Sequence, residues 1–531
     1  MGCGQNVDNS GKAVLRMNLD EGLASLDPAS ARDRARVWMC AQLFSGLVEL
    51  DSALALQPAL ARAWEIDPSG RVYTFRLRRD VLFHEDACFG PARTRRLTAA
   101  DVAYSFTRIC DPATASTGKW IFSGKIQGLD AWLAGQAPAI SGFEVLNDST
   151  FRIHLLNPFP PFLSLLAMPY GYVVPKEAVE AYGPDFRAHP VGTGPFRLFR
   201  WDEGRRLVLH RNPAYFEPGL PHLDAVSVQF IPSRLSAFIQ FVQGRLDFIG
   251  DLDASYKDEI FNPDGSIDSA YAARYQILPA PQLNTEYLGM LADPALPAAQ
   301  ASPLADLRVR QALSHAIDRE KLVRYLLNGM GTPAEAGMIP EGLPGFSAEA
   351  VRGYPYDPAR ARALLAAAGY DGRPLVLYST PKYAAMTEFV QKSFEQIGVK
   401  LEIRNLQGGA LRKEVYSSNA AFWRASWIAD YPDGENYLSL FYSRNASPVG
   451  PNTTHFQSPA FDRLYEAALR ETRDSVRQRL YQQMDQLVMD AAPVIPLYYD
   501  RSFRMLQPWV KGLSSNPMNH LSLKRVQMLR R

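Results

Sequence analysis

One stretch of the sequence, residues 422–433, combines the residue types that recognise a charged small molecule. It places an arginine and two aspartates among tryptophan and tyrosine side chains, and Pro432 then ends any regular element. A buried charge costs several kcal/mol unless it is paired, so Asp430 is either neutralised inside the protein or kept for a ligand. In the ligand interpretation Asp430 accepts an α-ammonium group, and Trp427 and Tyr431 wall the site. In the structural interpretation a core strand ends in a turn capped by Asp430, and the local pattern leaves both open.

Length and composition limit the class of protein. With 531 residues the chain exceeds the length, about 250–300 residues, at which single hydrophobic cores stop growing, so two or three lobes are expected. Apolar residues make up 47% and charged residues 21% of the chain, which is ordinary for a globular protein. The 57 basic and 55 acidic residues give a net charge of +2, which indicates no nucleic-acid partner and no anionic membrane surface.

The sequence shows none of the short motifs that carry catalysis in common enzyme classes. It contains no H-E-x-x-H, G-x-S-x-G or Walker A pattern, and its eight histidines are scattered. Residues 430–436 have oxygen donors near a glycine, but their spacing does not match a calcium loop. We therefore expect a protein that is not an enzyme and that has no cofactor and no metal site.

The first residues suggest a lipid anchor. Met1-Gly2-Cys3-Gly4 is followed by a polar run, an arrangement that resembles the end of a bacterial lipoprotein signal and makes Cys3 the predicted lipidation site. N-myristoylation fits less well, because position six is Asn6 rather than serine or threonine. The alternative is that Cys3 is an incidental residue of a disordered tail. No run of about 18 apolar residues predicts a membrane span.

The remaining cysteines allow one disulfide. Cys88 and Cys110 flank a segment that leads from a strand into a helix, and they could pair in an oxidising compartment. Cys40 would then be buried and free. The spacing alone does not establish the bridge.

Periodicity predicts blocks in which strands and helices alternate, the pattern of an α/β protein. The strand, helix and strand within 225–249 are spaced as a βαβ crossover. One strong amphipathic helix is predicted over 306–328, and an aspartate, a proline and a glycine bound a shorter helix over 357–369. The other predicted strands are 14–19, 71–78, 151–155, 207–209, 399–403 and 494–499, and the other helices are 37–48, 98–109 and 384–397, with two more that begin at 458 and 474.

Several motifs along the chain together resemble the extracytoplasmic solute-binding proteins of ABC importers, in the oligopeptide/dipeptide-binding family (family 5). The resemblance covers about residues 14–510, nearly the whole chain, and the motifs occur in the family's order. They are Leu23-Ala24-Ser25-Leu26-Asp27-Pro28, Leu43-Phe44-Ser45-Gly46-Leu47, Leu97-Thr98-Ala99-Ala100-Asp101-Val102, Gly192-Thr193-Gly194-Pro195-Phe196, Arg211-Asn212-Pro213-Ala214-Tyr215 and Arg308-Val309-Arg310-Gln311-Ala312-Leu313.

The resemblance implies an α/β fold of the two-lobed periplasmic-binding-protein clamp, type II-like, with an extra small domain and a hinge between the lobes. Lobe I would comprise 11–48, 190–281 and 500–531, the extra domain 49–189, lobe II 282–499, and an N-terminal tether 1–10. The ligand would be enclosed between the lobes. The protein would be a monomer in the periplasm or on the extracytoplasmic face of the membrane, bound to the membrane only through a lipid anchor, with an ABC permease and ATPase complex of the inner membrane as its partner.

The resemblance also implies residue roles. Trp427-Ile428-Ala429-Asp430-Tyr431 is similar to a W-x-A-D-Y segment whose aspartate takes a peptide's α-ammonium, so that role falls on Asp430. Arg424 matches a family position that faces ligand or cavity water. Strand edges around Ala425, Ser426, Trp427 and Leu23 would pair with the peptide backbone, as in β-augmentation. The residue for the ligand's carboxylate varies across the family and stays open among Arg404, Arg412, Arg424 and other residues.

Peptides, from dipeptides to oligopeptides, are therefore the expected ligands. Residues 433–436 depart from the oligopeptide binders and resemble a loop found in other branches of the family. Members of the family also bind oligosaccharides, opines, nickel chelates and haem. A clamp for one of these solutes is the alternative function. A hydrolase that acts on a bound peptide is a remote third, because no nucleophile and base set is present.

Overall fold

The computed structural model describes residues 12–250, 252, 256–262 and 265–529, and they form two compact units. The first unit comprises Met1–Tyr256, Ser269–Pro279 and Phe503–Arg531, and the second comprises Lys257–Asp268 and Ala280–Ser502. The predicted tether 1–10, with Cys3, lies outside the described residues, so the lipidation of Cys3 stays a prediction.

The strands are β1 (Val14–Leu19), β2 (Val48–Leu50), β3 (Leu56–Pro58), β4 (Ala61–Ile66), β5 (Val72–Leu77), β6 (Phe143–Asn147), β7 (Thr150–His154), β8 (Phe196–Asp202), β9 (Arg206–Arg211), β10 (Ala225–Phe230), β11 (Phe248–Ile249), β12 (Gln276–Met290), β13 (Gly331–Pro333), β14 (Leu375–Ser379), β15 (Leu401–Asn405), β16 (Phe422–Ile428), β17 (Val494–Leu506), β18 (Val510–Lys511) and β19 (Gln527–Met528).

The α-helices are α1 (Arg34–Leu43), α2 (Ala99–Cys110), α3 (Leu129–Leu133), α4 (Phe162–Leu166), α5 (Lys176–Tyr182), α6 (Arg234–Val242), α7 (Lys257–Ile260), α8 (Ser269–Arg274), α9 (Pro297–Gln300), α10 (Leu307–His315), α11 (Arg319–Leu327), α12 (Pro358–Ala368), α13 (Ala384–Glu395), α14 (Gly408–Tyr416), α15 (Glu435–Leu438), α16 (Pro459–Ala468) and α17 (Asp474–Ala491).

The first unit contains a mixed sheet in which β1 is flanked by two parallel strands. β10 pairs with one edge of β1 and β11 with the other, while β9 and β8 continue the sheet as antiparallel neighbours beyond β10. Helix α6 connects β10 to β11, which confirms the βαβ crossover predicted within 225–249. Leu15, Met17 and Leu19 of β1 are buried and alternate with less buried residues, as expected when successive side chains point to opposite faces.

Residues 49–189 contain a second, antiparallel sheet with the strand order β4-β5-β7-β6. Its buried face is aromatic, and Phe151 of β7 packs edge-on against Phe106 of α2 with the ring centroids 5.9 Å apart. The predicted start of α2 is confirmed, because the Thr98 backbone N–H donates to Oδ2 of Asp101 at 2.8 Å in a capping box. This segment lies within the first unit, and its role as a separate small domain stays a prediction.

The second unit is built on a mixed sheet with the strand order β15-β14-β16-β12-β17, and β13 also pairs with β17. β14 is parallel to β15 and β16, while β12 is antiparallel to β16. Helices α10 to α13 and the sheet share one hydrophobic core, which includes Leu288, Leu313, Leu322, Leu365, Leu377, Val390, Phe394, Phe422 and Ile495. Both units therefore confirm the predicted α/β class.

The single helix predicted over 306–328 is wrong, since the structure has two helices there, α10 and α11. The Asp318 side chain accepts a hydrogen bond from the Lys321 N–H at 3.0 Å and caps α11. Both helices face the same core, so the apolar periodicity continues across the break between them. For this reason the periodicity did not indicate the cap at Asp318. Within the described residues, no helix is both long and apolar enough to cross a membrane.

The predicted bridge between Cys88 and Cys110 is wrong, because both are free thiols. The backbone N–H of Cys88 donates to Asp86. Burial, the Asp86 carboxylate and, more weakly, the Glu177 carboxylate raise the pKa of the Cys88 thiol to about 12. Glu177 is tied through Arg95 to the N-terminal end of α2, whereas Cys110 lies at the C-terminal end. A helix of 12 residues is about 18 Å long, which keeps the two thiols apart.

Candidate ligand-binding site

The strand β16 forms the base of the predicted site and pairs along its whole length with β12. Successive side chains point to opposite faces of a strand. One face faces the main core of the second unit and the other a smaller cluster around Trp423. The first face carries Phe422, Arg424 and Ser426, and the second carries Trp423, Ala425 and Trp427.

Arg424 is paired inside the second unit, which corrects the prediction that it faces the ligand. Its guanidinium donates to the carboxylate of Glu286 on the adjacent strand β12, and the two side chains are only 9% and 5% exposed. The ring of Tyr383 covers the guanidinium, with its centroid 3.2 Å from Cζ. Burial raises the pKa of Glu286, and the Arg424 charge opposes that rise. A guanidinium neutralised in this way is not available to a ligand carboxylate.

The other edge of β16 is covered over only part of its length. β14 pairs with β16 at one position, where Tyr378 lies opposite Trp423. On the β12 side, the Ala429 N–H donates to the carbonyl of Leu283 at 2.8 Å. Hydrogen-bonded and non-hydrogen-bonded pairs alternate in an antiparallel ladder, so the backbone groups of Ser426 and Ile428 point away from β12. No backbone group among the described residues hydrogen-bonds to them there.

Asp430 follows the end of this open edge and is exposed to solvent. Within the described part of the chain, no basic side chain lies within ion-pair distance of its carboxylate. Its one side-chain hydrogen bond there is a long one, 3.5 Å from Nδ2 of Asn436 to Oδ2. The surrounding protein displaces water on the sides away from solvent, and this desolvation raises the carboxyl pKa, against the weaker opposing effect of Asn436. The side chain is therefore a carboxylate without a cation, as the ligand interpretation requires.

Asn436 links Trp427 to Asp430. Its Oδ1 accepts hydrogen bonds from the indole N–H of Trp427 at 2.9 Å and from the backbone N–H of Asp430 at 3.2 Å. The carbonyl of Trp427 also accepts a hydrogen bond from the Tyr437 hydroxyl at 2.9 Å. Trp427 is half-buried, and its indole is fixed in orientation beside the open edge, where it was predicted to form a wall.

Two further acids lie next to Asn436, but they are buried and satisfied. Asp433 pairs with Arg477 at 3.3 Å and accepts the Tyr481 hydroxyl at 2.7 Å. Burial raises the pKa of Asp433, and the Arg477 charge opposes it. Together with Glu435, which accepts two tyrosine hydroxyls, these contacts anchor the loop that carries Asn436.

Tyr431 is one of the two tyrosines that donate to Glu435. Its side chain is buried and its hydroxyl is directed into the second unit. Tyr431 therefore helps to anchor the loop that carries Asn436, and its role as a wall of the site stays a prediction.

The other predicted residues fall into three places. Leu23 lies in the first unit, buried in a segment without regular structure, and its pairing with a ligand backbone stays a prediction. Arg404 on β15 donates to the Tyr378 hydroxyl on β14 at 2.8 Å, and Arg412 is exposed on α14. A contact of either arginine with a ligand carboxylate stays a prediction. Among the residues with described positions, no group of histidine, cysteine, aspartate or glutamate side chains is arranged to hold a metal ion.

Asn436 and Glu286 were not among the predicted site residues. Asn436 lies six residues after Asp430, in the segment that departs from the oligopeptide binders. Its contact with Asp430 depends on the turn between them, which the sequence did not predict. Glu286 became a partner of Arg424 only through the pairing of β12 with β16. The available signal was a glutamate in the mixed polar and apolar stretch of residues 283–291, because an acid that becomes buried there needs a cation.

Comparison with known proteins gives a consistent family. Residues 55–448 match the model described as bacterial extracellular solute-binding proteins, family 5 Middle. The matched segment includes β16, Asp430 and the loop that carries Asn436. It therefore spans the open edge and the residues that support it.

Among curated relatives, the periplasmic oligopeptide-binding protein OppA of Salmonella typhimurium is 28% identical over 546 residues, which cover 99% of this chain and 94% of that protein. Heme-binding protein A of Haemophilus influenzae is 29% identical, with 90% and 85% covered. Among solved structures, the ABC transporter-associated periplasmic binding protein DppA from Helicobacter pylori, in complex with the peptide STSA, is 25% identical, with a TM-score of 0.74 and coverage of 98% and 99%.

Proposed function

Because this chain belongs to the bacterial extracellular solute-binding proteins of family 5, we propose that it captures peptides and delivers them to an ABC importer. The observation that carries the peptide assignment is the pairing of two features in one place. Asp430, an exposed carboxylate with no cation within the described ranges, adjoins a strand edge whose backbone groups at Ser426 and Ile428 point away from β12.

These two features match the two parts of a peptide that do not depend on its sequence. The α-ammonium group would bind Asp430 through a charge-assisted hydrogen bond, worth about 1.5–3 kcal/mol net. The peptide backbone would add a strand to the open edge, with alternate residues bonded to Ser426 and Ile428. Such a site accepts many side chains, which suits the uptake of nutrients.

The relatives support the same choice of ligand. OppA is named for oligopeptides, and the DppA structure contains a peptide. Heme-binding protein A is as similar in sequence, so a haem-type solute is the competing assignment. A haem carries carboxylates that need cations, whereas the open edge presents the carboxylate of Asp430. The Arg424 guanidinium is already paired with Glu286. The charge of this site therefore favours an amine.

Location and partners belong to the same proposal. OppA and DppA are both named as periplasmic, which supports an extracytoplasmic location for this chain. The name of DppA also associates it with an ABC transporter, which supports a membrane permease and ATPase as the partner. We assign a monomer with no catalytic step, and Cys3 as the lipid anchor.

The decisive experiment combines ligand identification with one substitution. Mass spectrometry of the natively purified protein should find peptides. Asp430→Asn should then weaken binding of trialanine by at least tenfold, about 1.4 kcal/mol, in calorimetry. N-acetylated trialanine should bind weakly to both proteins, with less than a twofold difference between them.

Glu388→Gln is the matched control, because it removes an exposed acid from α13 of the same unit and should leave trialanine binding unchanged. Equal affinity of the parent and Asp430→Asn for trialanine would remove the ammonium role from Asp430. A co-purified haem or sugar, together with no peptide binding, would reject the peptide assignment as a whole.

A further inference from the structure

The first unit contains a cavity that the proposed peptide site does not use. Its volume is about 430 Å³, within the range of about 300–1,000 Å³ that is usual for small-molecule sites. Its wall is formed mainly by helix α1, the hairpin of β2 and β3, and the segments 167–172, 215–217 and 514–525. All of these belong to the first unit, whereas β16 and Asp430 belong to the second.

The buried charges in the wall of this cavity are already paired with one another. The Lys524 side chain is only 8% exposed, and its ammonium lies 2.7 Å from Oε1 of Glu49 and 2.5 Å from Oε1 of Glu217. Arg525 lies 3.5 Å from the other oxygen of Glu217, and the Tyr215 hydroxyl donates to Oε1 at 2.9 Å. Two cations thus face two carboxylates, and an ionic ligand would add a charge without a partner.

Asp51, a third acid of the wall, is committed to the hairpin that follows β2. Its carboxylate accepts the backbone N–H groups of Ala53 and Ala55, both at 2.9 Å, and the side-chain amide of Gln57 at 2.8 Å. A carboxylate with three donors has little capacity left for a cationic ligand. The charges of the wall therefore favour an uncharged ligand.

Two neutral polar side chains of the wall have no hydrogen-bond partner among the described residues, namely the Tyr172 hydroxyl and the His520 ring. Burial and the Arg504 charge lower the pKa of His520 to about 4, so at neutral pH its ring has one donor and one acceptor nitrogen. The wall also has serine hydroxyls, those of Ser45, Ser514 and Ser522. A hydroxyl both donates and accepts, so these groups suit a ligand that does the same.

Apolar side chains lie between these polar groups and include Val37, Phe44, Leu50, Pro58 and Leu521. A ligand that matches the whole wall must be uncharged, must both donate and accept hydrogen bonds, and must have apolar faces. A sugar meets all three requirements, because its hydroxyls surround a frame of C–H groups.

We propose that this cavity is a second binding site, which takes a small uncharged polyhydroxylated molecule, a monosaccharide or a disaccharide. Tyr172 and His520 would form hydrogen bonds with its hydroxyls, and the apolar residues would pack against its C–H faces. The inference goes beyond peptide capture and does not depend on it, because the two sites share no residue.

Calorimetry on the full chain tests the class of ligand. Glucose, galactose, maltose and trehalose are titrated as uncharged probes, with putrescine as a cation and citrate as an anion. At least one sugar should bind, and neither ion should. Binding of putrescine or citrate without any sugar would overturn the assignment of an uncharged ligand, and binding of none of the probes would overturn the site.

One substitution tests whether the sugar contacts the wall. Tyr172→Phe removes only a hydroxyl and should weaken sugar binding about fivefold, the effect of losing one hydrogen bond. Tyr104→Phe is the matched control, because Tyr104 is a half-buried tyrosine of α2 that does not line the cavity, and it should change nothing. Unchanged sugar affinity in Tyr172→Phe would remove the role of its hydroxyl.

A second pair of variants locates the sugar. Ala41→Leu places bulk in the cavity from α1 and should abolish sugar binding, while trialanine binding stays unchanged. Asp430→Asn should leave sugar binding unchanged. A sugar that is displaced by trialanine and still binds to Ala41→Leu would lie in the peptide site and overturn this inference. Sugar binding that is lost in Ala41→Leu, in a protein that binds no peptide, would support the cavity and refute the proposed function alone.

Discussion

The two ends of β16 differ in how their polar groups are satisfied. At the end that begins with Phe422, the Arg424 guanidinium is paired with Glu286 and β14 covers the backbone edge. At the other end the edge is open, and Asp430 has no cation among the described residues. The strand is the same and its residue types are similar, so the difference comes from where β14 stops. The proposed binding site lies where β14, one neighbour of β16, is shorter than β16 itself.

The acids of the second unit show the same contrast. Glu286 is paired with an arginine, and Asp433 with an arginine and a tyrosine. Asp485 has no cation among the residues that the structure describes and lies fully buried. Asp485 accepts the backbone N–H groups of Met338 and Ile339, and burial raises its pKa to about 7. Buried acids are thus neutralised by a partner or by a proton, and Asp430 alone of these four faces solvent. The predictions below alter one member of this contrast at a time.

Breaking the buried pair should give the largest effect. Arg424→Met leaves Glu286 buried without its cation, which should destabilise the second unit by about 3–5 kcal/mol in urea unfolding. Adding Glu286→Gln should recover most of that loss, because the uncompensated charge is gone. A double variant as unstable as Arg424→Met would show that the lost packing of the guanidinium on Tyr383, and not charge, sets the cost.

An exposed pair provides the control for this experiment. Arg76 and Glu65 are 3.0 Å apart with side chains 49% and 67% exposed. Solvent screens such a pair, so Arg76→Met should cost less than about 1 kcal/mol. The pair lies in the first unit, which also shows whether the two units unfold separately.

The next effect concerns Asp485. Its pKa is about 7 in the folded chain and about 4 when unfolded, so the folded state binds the proton more tightly. The stability that this proton contributes is complete below pH 4 and is lost as the pH rises through 7, a total of about 4 kcal/mol. Asp485→Asn removes this term, and the difference in unfolding free energy between the variant and the parent should change by about 3 kcal/mol from pH 5 to pH 8.

Asp371→Asn is the matched control for this pH dependence. Asp371 is exposed beside Arg373, and hydrogen bonds to the Arg373 backbone and guanidinium lower its pKa, so it titrates below pH 4. Its substitution should leave the change between pH 5 and pH 8 unaffected. A difference for Asp485→Asn that stays constant with pH would mean that Asp485 keeps its charge when buried.

The sequence was sufficient for features that depend on local chemistry. Alternating residues predicted β5 and β7, an aspartate followed by proline predicted the start of α12, and Thr98 with Asp101 predicted the start of α2. A tryptophan-rich strand followed by an acid and Pro432 also predicted an acid at a strand end, where Asp430 lies.

Features that depend on which strands become neighbours could not be predicted. The neutralisation of Arg424 requires that it share a face of the sheet with Glu286. The two residues are 138 positions apart in sequence, and the register of β12 with β16 brings them together. The inward turn of Tyr431 depends on Glu435, and Cys88 and Cys110 are separated by the length of α2. The open edge itself depends on where β14 ends, and nothing in β16 records that position.

The smallest expected effect concerns the amide that links Trp427 to Asp430. Asn436→Ala removes the acceptor of the Trp427 indole N–H and of the Asp430 backbone N–H, so the carboxylate loses part of its fixed orientation. Losing one such hydrogen bond costs about 1 kcal/mol, which corresponds to about fivefold weaker binding of trialanine. N-acetylated trialanine should be affected less, since it makes no ion pair with Asp430.

A reporter of the indole separates orientation from general loosening. The tryptophan emission of Asn436→Ala should change, because the indole N–H of Trp427 loses its partner, while Asn405→Ala, an exposed amide at the end of β15, should change neither emission nor affinity. Unfolding in urea should remain a single transition for the second unit in both variants. If Asn436→Ala binds the free and the acetylated peptide with equal loss, then Asn436 holds the loop in general and does not orient Asp430. The contrast between the two ends of β16 would then lie in backbone cover alone.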